Sequence, residues 1–306
     1  REDSYPIERR HIIQENNMKV TTALRTLINR NEILVCPGTY DPLMAKLIKR
    51  VGFEAMYMTG AGVSHNGLAM PDLGLTTMTE MVDRAARLAD ASELPIICDA
   101  DTGFGNAINV MRTVKEYERA GVAGMHIEDQ DMPKRCGHLF GKTLVSVSEM
   151  VGKLKAAQDA RRDDDFVIIA RTDARTALGF DAAMDRAHAY AEAGADVIFF
   201  ESPRSVEELE AIPKAFKKPV LANMVETGLT PYMSTAELQA MGFDLVIHAG
   251  GLARYLTRHA EGFLQTLKDV GTSEPYWDQM NSFKEQNALL ELDKFEALSQ
   301  KYAGDE

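Results

Sequence analysis

Four residues in one glycine-containing stretch, MPKRCGHLFGK (Met132–Lys142), could do proton chemistry: Lys134, Arg135, Cys136 and His138. A cationic setting lowers a thiol's pKa and makes it reactive, whereas a structural cysteine prefers apolar company. The spacing therefore predicts a reactive thiol on a mobile segment. Zinc is a poor fit, because C-x-H lacks a second ligand pair. A second constellation is Asp99-x-Asp101. Two carboxylates two residues apart on an extended chain project the same way and repel unless a cation or proton lies between them. Glu128, from the next apolar run, completes an all-oxygen set that suits Mg2+ or Mn2+ better than zinc. Taken alone, the Asp-x-Asp pair reads equally as a solvated loop cap.

Arg171 ends another apolar run and needs a carboxylate, either internal or bound. Thr59-Gly60-Ala61-Gly62 offers small residues whose backbone N–H groups can approach an anion, or simply a tight turn. Glu201, Asn223 and His248 end three further runs, as substrate contacts or as satisfied rim residues. His126 lies inside GMHIED and reads as core. Cys36 and Cys98 lie in apolar runs and read as inert.

Each of these runs belongs to a pattern. RVGFEAMYMTG, RAGVAGMHIED, EAGADVIFFES and AMGFDLVIHAG share a glycine, a short spacer and an apolar stretch. The glycines Gly52, Gly121, Gly194 and Gly242 fit left-handed helix caps. The apolar stretches fit strands buried on both faces. EILVCPG, PIICDAD, FVIIARTDA and PVLANM supply four more strands. Helical stretches fall between, among them VMRTVKEYERAG and DAAMDRAHAYAEAG, the latter with Asp181 as its expected cap. Eight alternating strands predict an α/β fold, a (β/α)8 barrel whose site lies at the strand C-termini. An open doubly wound sheet would carry a glycine fingerprint after its first strand, and CPGTYD is not one.

The barrel core is expected over residues 32–255, after an N-terminal helical extension over 1–31. A C-terminal helical segment over 256–306, with a long helix across 276–302, is expected to pack on a neighbouring subunit. A net charge of -12 with no basic stripe excludes nucleic acid as a partner. No apolar run reaches 18 residues, so no membrane partner is expected. Three cysteines form no disulfide framework. A cytoplasmic location is expected, and the missing initiator Met leaves a longer organellar precursor as an alternative.

From Ile33 to Arg254 the chain resembles the isocitrate lyase / phosphoenolpyruvate mutase superfamily, nearest its branch of 2-methylisocitrate and 2,3-dimethylmalate lyases. KRCGH at Lys134–His138 carries the resemblance most specifically. PDLG at Pro71–Gly74, DADTGFG at Asp99–Gly105, HIEDQ at His126–Gln130, ARTDA at Ala170–Ala174, and Asn223 support it. The resemblance implies a barrel whose last helix is exchanged with a neighbour in a homotetramer. It implies Mg2+ (Mn2+ as the alternative) on Asp101, with Asp72, Asp99 and Glu128 acting largely through water. It also implies α-keto acid binding by Thr59, Gly60, Ala61 and Arg171, and Cys136 as proton donor on a gating loop. Lys134, Arg135 and His138 would attract the distal carboxylate and tune the thiol, with Gly137, Glu201, Asn223 and His248 lining the site.

The reaction so implied splits a 2-hydroxy di- or tricarboxylate into an α-keto acid and a second carboxylate. IHAGG at Ile247–Gly251 departs from the Tyr-Pro usual in methylisocitrate lyases. Leu139 stands where tricarboxylate lyases tend to carry a further Arg. Both departures favour a substituted malate. Oxaloacetate hydrolysis or decarboxylation on the same scaffold, and an inactive scaffold barrel, are the alternatives.

Overall fold

The eight apolar runs form eight parallel strands in a computed structural model that describes residues 18–303. They are β1 (Leu34–Thr39), β2 (Met56–Met58), β3 (Ile96–Asp99), β4 (Gly124–Glu128), β5 (Val167–Thr172), β6 (Val197–Phe200), β7 (Val220–Asn223) and β8 (Leu245–His248). Each pairs with the next, and β8 pairs back onto β1, so the barrel is closed. Helices over Pro42–Val51, Met78–Ser92, Ala107–Arg119, Val147–Ala160, Phe180–Glu192, Val206–Ala215 and Thr235–Met241 cross from strand to strand. This is the (β/α)8 barrel that the repeat predicts. The four repeat glycines have φ between 81° and 104°, the left-handed region. Without a Cβ they turn the chain out of each helix at no steric cost.

The core follows strand parity. Leu34, Cys36, Ala55, Tyr57, Ile97, Val167, Ile169, Val197, Phe199, Leu221, Leu245 and Ile247 fill the interior, and Leu24, Leu27 and Ile28 of the Val20–Ile28 helix pack into the same cluster. Along any strand, alternate residues share a face. The position after the last apolar interior residue is thus Gly38, Thr59, Asp99, Arg171, Glu201, Asn223 or Ala249. On β4 the same face carries His126, which meets the Tyr57 and Phe199 rings, and then Glu128. Gly38 is needed where β1 meets β8, because a Cβ there would run into the Ala249 backbone oxygen.

Three local expectations are corrected. The Phe180–Glu192 helix is not capped by Asp181: its N-cap position is Gly179, and Asp181 lies inside the first turn, where its charge favours the helix N-terminus. Asp101 is not on an extended strand, because β3 ends at Asp99 and Asp101 is left-handed at φ 46°. The segment 276–302 is not one long helix. It holds a 3-10 turn (Glu274–Gln279) and helices over Phe283–Leu289 and Leu292–Tyr302, with Glu291 left-handed between them. The chain divides into two compact units after Leu252. In the second, a helix begun at Gly251 runs to Val270 and buries none of its side chains. Of the N-terminal extension, residues 1–17 lie outside the described residues.

Candidate active site

The C-terminal ends of β3 to β6 bring ionisable groups into a buried cluster. Asp99, Asp101, Glu128, Asp173 and Glu201 are all buried, facing Lys134, Lys142 and Arg171. Charges at this depth need partners. Arg171 finds them in Asp173 (Nε to Oδ2, 2.9 Å; Nη2 to Oδ1, 3.1 Å), Glu128 Oε2 (3.3 Å) and Glu201 Oε2 (3.9 Å). Its guanidinium also lies over the Phe199 ring, 5.1 Å from the centroid. Glu201 accepts from Asn223 Nδ2 at 3.1 Å and stands 3.1 Å from His138 Nε2. His138 Nδ1 accepts from the Leu229 N–H, which leaves its ring proton on Nε2, toward Glu201.

Lys134 Nζ reaches Asp72 Oδ1 at 2.6 Å and Asp101 Oδ1 at 2.7 Å. Asp101 N–H donates to Asp99 Oδ1, so the left-handed turn folds this pair of aspartates onto each other. Burial pushes Asp101 up to about 6, against the pull of Lys134 and with the push of Asp99. Burial also works against ionised Asp99, but His126, Lys134, Arg171 and the Asp101 N–H outweigh it and bring Asp99 to about 2. Burial raises Glu128 well above the carboxylate range. Among the described residues, neither Glu128 oxygen has a hydrogen-bond partner, and Arg171 meets Oε2 only as an ion pair.

Among the described residues, no three carboxylate, histidine or cysteine groups converge closely enough to enclose a metal ion directly. The donor set nevertheless fits a hydrated divalent cation. Four carboxylates (Asp72, Asp99, Asp101 and Glu128) share one lysine between two of them, and the buried Glu128 oxygens lack donors that waters would supply.

The MPKRCGHLFGK segment closes over this cluster. Cys136 N–H donates to the Asp72 carbonyl at 3.3 Å. A Cβ on Gly137 would meet Arg171 Nη2 and Glu201 Cγ at 2.6 Å, so only glycine lets the lid lie flush on β5 and β6. The expected lowering of the thiol pKa is reversed. Burial dominates and raises Cys136, with Asp72 and Glu201 adding to the rise and the His138 N–H and Arg171 opposing it, while the Lys134 and His138 side chains pair with Asp72, Asp101 and Glu201. Arg135 is exposed, and its backbone pairs with the Gln130 side chain in both directions. It is not brought into the cluster.

Thr59 caps the four-residue helix Gly60–Val63 by accepting from Gly62 N–H. Gly60 lies so close to Asp99 that a Cβ would collide with the carboxylate. Ala61 is half-buried beside it. His248 is not brought in: parity turns it off the interior face, toward Tyr232 Oη at 3.5 Å, and Ala249 packs on the core instead. Sequence reasoning missed Lys142, which reaches back to Asp173 and the Gly137 carbonyl. It also missed Asp129, which accepts from Thr172, Arg186, Tyr190 and the Asp173 N–H and so fixes the end of β5. Charged residues inside otherwise apolar strand ends were the available signal for Asp129 alone.

A family model described as phosphoenolpyruvate phosphomutase matches residues 24–268. The chain is 48% identical to a 2,3-dimethylmalate lyase of Eubacterium barkeri, over 94% of this chain and 99% of that protein. It is 47% identical to a 2-methylisocitrate lyase of Aeropyrum pernix, over 84% and 82%. The fold superposes on oxaloacetate acetylhydrolase bound to 3,3-difluorooxalacetate with a TM-score of 0.88 and 37% identity, covering 94% and 99% of the two chains. It also superposes on phosphonopyruvate hydrolase in complex with oxalate and Mg2+, with a TM-score of 0.84 and 30% identity over 93% and 99%.

Proposed function

The chain belongs to the PEP mutase/isocitrate lyase superfamily, and from that premise we propose that it is a carbon–carbon lyase acting on a 2-hydroxy dicarboxylate of the 2,3-dimethylmalate type. One observation carries the reading. Cys136 stands on a lid whose next residue packs against Arg171 and Glu201, a setting that shifts its thiol toward the protonated form. A general acid must be protonated before it acts, and a raised thiol pKa ensures that at neutral pH.

Asp101, with Asp72, Asp99 and Glu128 through water, would hold Mg2+, and the bound cation supplies Lewis-acid stabilisation of oxygen charge. Superfamily members use such a metal, as the Mg2+ complex of phosphonopyruvate hydrolase illustrates. Arg171 presents a second fixed positive charge to the α-keto acid half, held by Asp173 so that it need not reorganise. Gly60 and Ala61, in the first turn of the helix that Thr59 caps, would offer backbone N–H groups to the same half, whereas the Thr59 N–H is taken by the Thr39 carbonyl. As the 2-hydroxyl loses its proton, the adjacent carbon–carbon bond breaks and the keto group forms; the other product leaves as a carboxylate-stabilised carbanion equivalent, Cys136 gives its proton to that carbon, and the released hydroxyl proton restores the thiol through solvent on turnover. Gly137, His138 and Lys134 close the lid and exclude water, which keeps these charges strong.

The size of the distal group follows from the cations that remain. Lys134 and His138 are committed to protein carboxylates, and Leu139 is exposed on the lid. A third substrate carboxylate would find few partners, which supports a dicarboxylate over 2-methylisocitrate. Oxaloacetate hydrolysis is the second reading, favoured by the likeness to the acetylhydrolase.

Homotetramer assembly belongs to the same proposal, supported by the exposed Leu264, Leu267 and Val270 of the Gly251–Val270 helix. The proposed location is the cytoplasm, with three free cysteines; among the described residues, no helix is long and apolar enough to cross a membrane. The test is a proton NMR product assay with 2,3-dimethylmalate, 2-methylisocitrate and oxaloacetate, each with Mg2+ and with EDTA. Propionate plus pyruvate is expected. Pyruvate plus succinate, or oxalate plus acetate, would move the substrate to the other readings. No metal-dependent turnover would overturn the substrate class.

A further inference from the structure

Lys142 stands at the far end of the lid, six residues after Cys136, and its side chain is almost wholly buried. Its ammonium is spent on two protein acceptors. It donates to the Gly137 carbonyl and, at 2.9 Å, to Asp173 Oδ1. The first contact fixes the Gly137–His138 peptide, one residue past Cys136. The second ties that peptide to the carboxylate that holds Arg171 in two hydrogen bonds. Ser202, just past β6 and left-handed at φ 56°, adds a hydroxyl 3.1 Å from the same carbonyl. That hydroxyl also lies 2.9 Å from Glu201 Oε1, so its single proton serves one acceptor at a time. The Gly137 carbonyl thus meets two donors, one from the root of the lid itself and one from a strand end.

A lysine so deeply desolvated persists only where its partners are in place. Its partners are in place only when the lid lies on the barrel. We propose that Lys142 is a positioning residue that latches the Gly137–His138 peptide, one residue past Cys136, onto the Asp173–Arg171 pair. The proton donor and the cation on the α-keto acid half are thereby set by one buried ammonium. This assignment rests on the proposed role of Cys136, but the latch itself can be read without turnover.

The experiment compares iodoacetamide labelling of each cysteine, mapped by mass spectrometry, in the wild-type protein, Lys142→Met and Ser202→Ala. Cys36 and Cys98 are fully buried and report whether the barrel stays folded. Asp173 keeps Arg171 as partner in Lys142→Met, so no buried charge is stranded. Cys136 labelling is expected to accelerate about tenfold or more in that variant, the scale of a lost charge-assisted hydrogen bond in a local opening equilibrium. Cys36 and Cys98 should stay unlabelled. kcat should fall by about tenfold or more with KM changed less than about threefold, because both Lys142 contacts are to protein.

A Cys136 rate within about twofold of wild type in the folded variant overturns the latch. Faster labelling with unchanged kcat overturns the positioning role. If Cys36 and Cys98 are labelled too, Ser202→Ala decides: a Cys136 rate at least about threefold above wild type supports the latch, and an unchanged rate overturns it. Should the wild-type protein cleave none of the tested acids, the lyase reading fails while the labelling rates still judge the latch.

Discussion

Arg171 and Asp173, two residues apart on and just past β5, meet through two parallel hydrogen bonds of 2.9 and 3.1 Å, both partners buried. The pair fixes the plane of the guanidinium before any substrate arrives. Lysine cannot reproduce this fork. Arg171→Lys is expected to lower kcat/KM at least about 100-fold, the scale of a lost preorganised charge. Oxalate affinity, measured by calorimetry with Mg2+ present, should weaken in parallel. Unchanged oxalate binding would separate Arg171 from the α-keto acid half.

Asp101 carries the metal prediction. Lys134 forms an ion pair with one of its oxygens, and burial with neighbouring Asp99 strains its ionised form. A divalent cation would relieve that strain. Mg2+ plus oxalate is expected to raise Tm by several degrees in the wild-type protein, as ligand linkage requires. Asp101→Ala should abolish both that shift and metal-dependent turnover. A full shift in the variant would remove Asp101 from the metal site.

Much of this was legible in the chain, because strand parity and the period of the glycine caps are both local signals. Asp99, Glu128, Arg171, Glu201 and Asn223 all stand at strand ends that hydropathy alone delimits. The surroundings of Cys136 were not legible. Lys134, Arg135 and His138 are adjacent in sequence, but the lid folds Lys134 down to Asp72 and Asp101, turns His138 to Glu201 and leaves Arg135 in solvent. Sequence proximity suggested a lowered thiol pKa, whereas three-dimensional burial raises it. Lys142 was hidden for the same reason, since nothing local says that its chain folds back inward.

Cys136 gives the pH prediction. The group acts as an acid, so turnover needs its protonated form. Burial raises the thiol above its ordinary 9.0, and the protonated form therefore persists through neutral pH. The alkaline limb of kcat is expected above pH 9, with activity lost as pH rises through the raised pKa. Cys136→Ser should lower carbon–carbon cleavage at least about 100-fold, the scale of a lost general acid, and erase that limb. A loss below about threefold would mean that another group delivers the proton.

Gly137 separates closing the lid from folding the barrel. Its backbone is outside the left-handed region, so alanine brings no backbone strain. What alanine brings is a methyl that would meet Arg171 Nη2 and Glu201 Cγ at 2.6 Å and Glu201 Cδ at 2.7 Å. Both neighbours are pinned, Arg171 by Asp173 and Glu201 by Asn223 and Ser202, so neither can give way cheaply. The lid must lift instead. Gly137→Ala is expected to lower kcat about 100-fold, as a misplacement of roughly 1 Å can. Cys136 should alkylate faster, while Tm falls by no more than a few degrees, since the packing that the methyl disturbs is that of a surface segment. Calorimetry beside thiol labelling checks this. A large drop in Tm with unchanged Cys136 labelling would place the methyl's cost in the barrel and not in the lid.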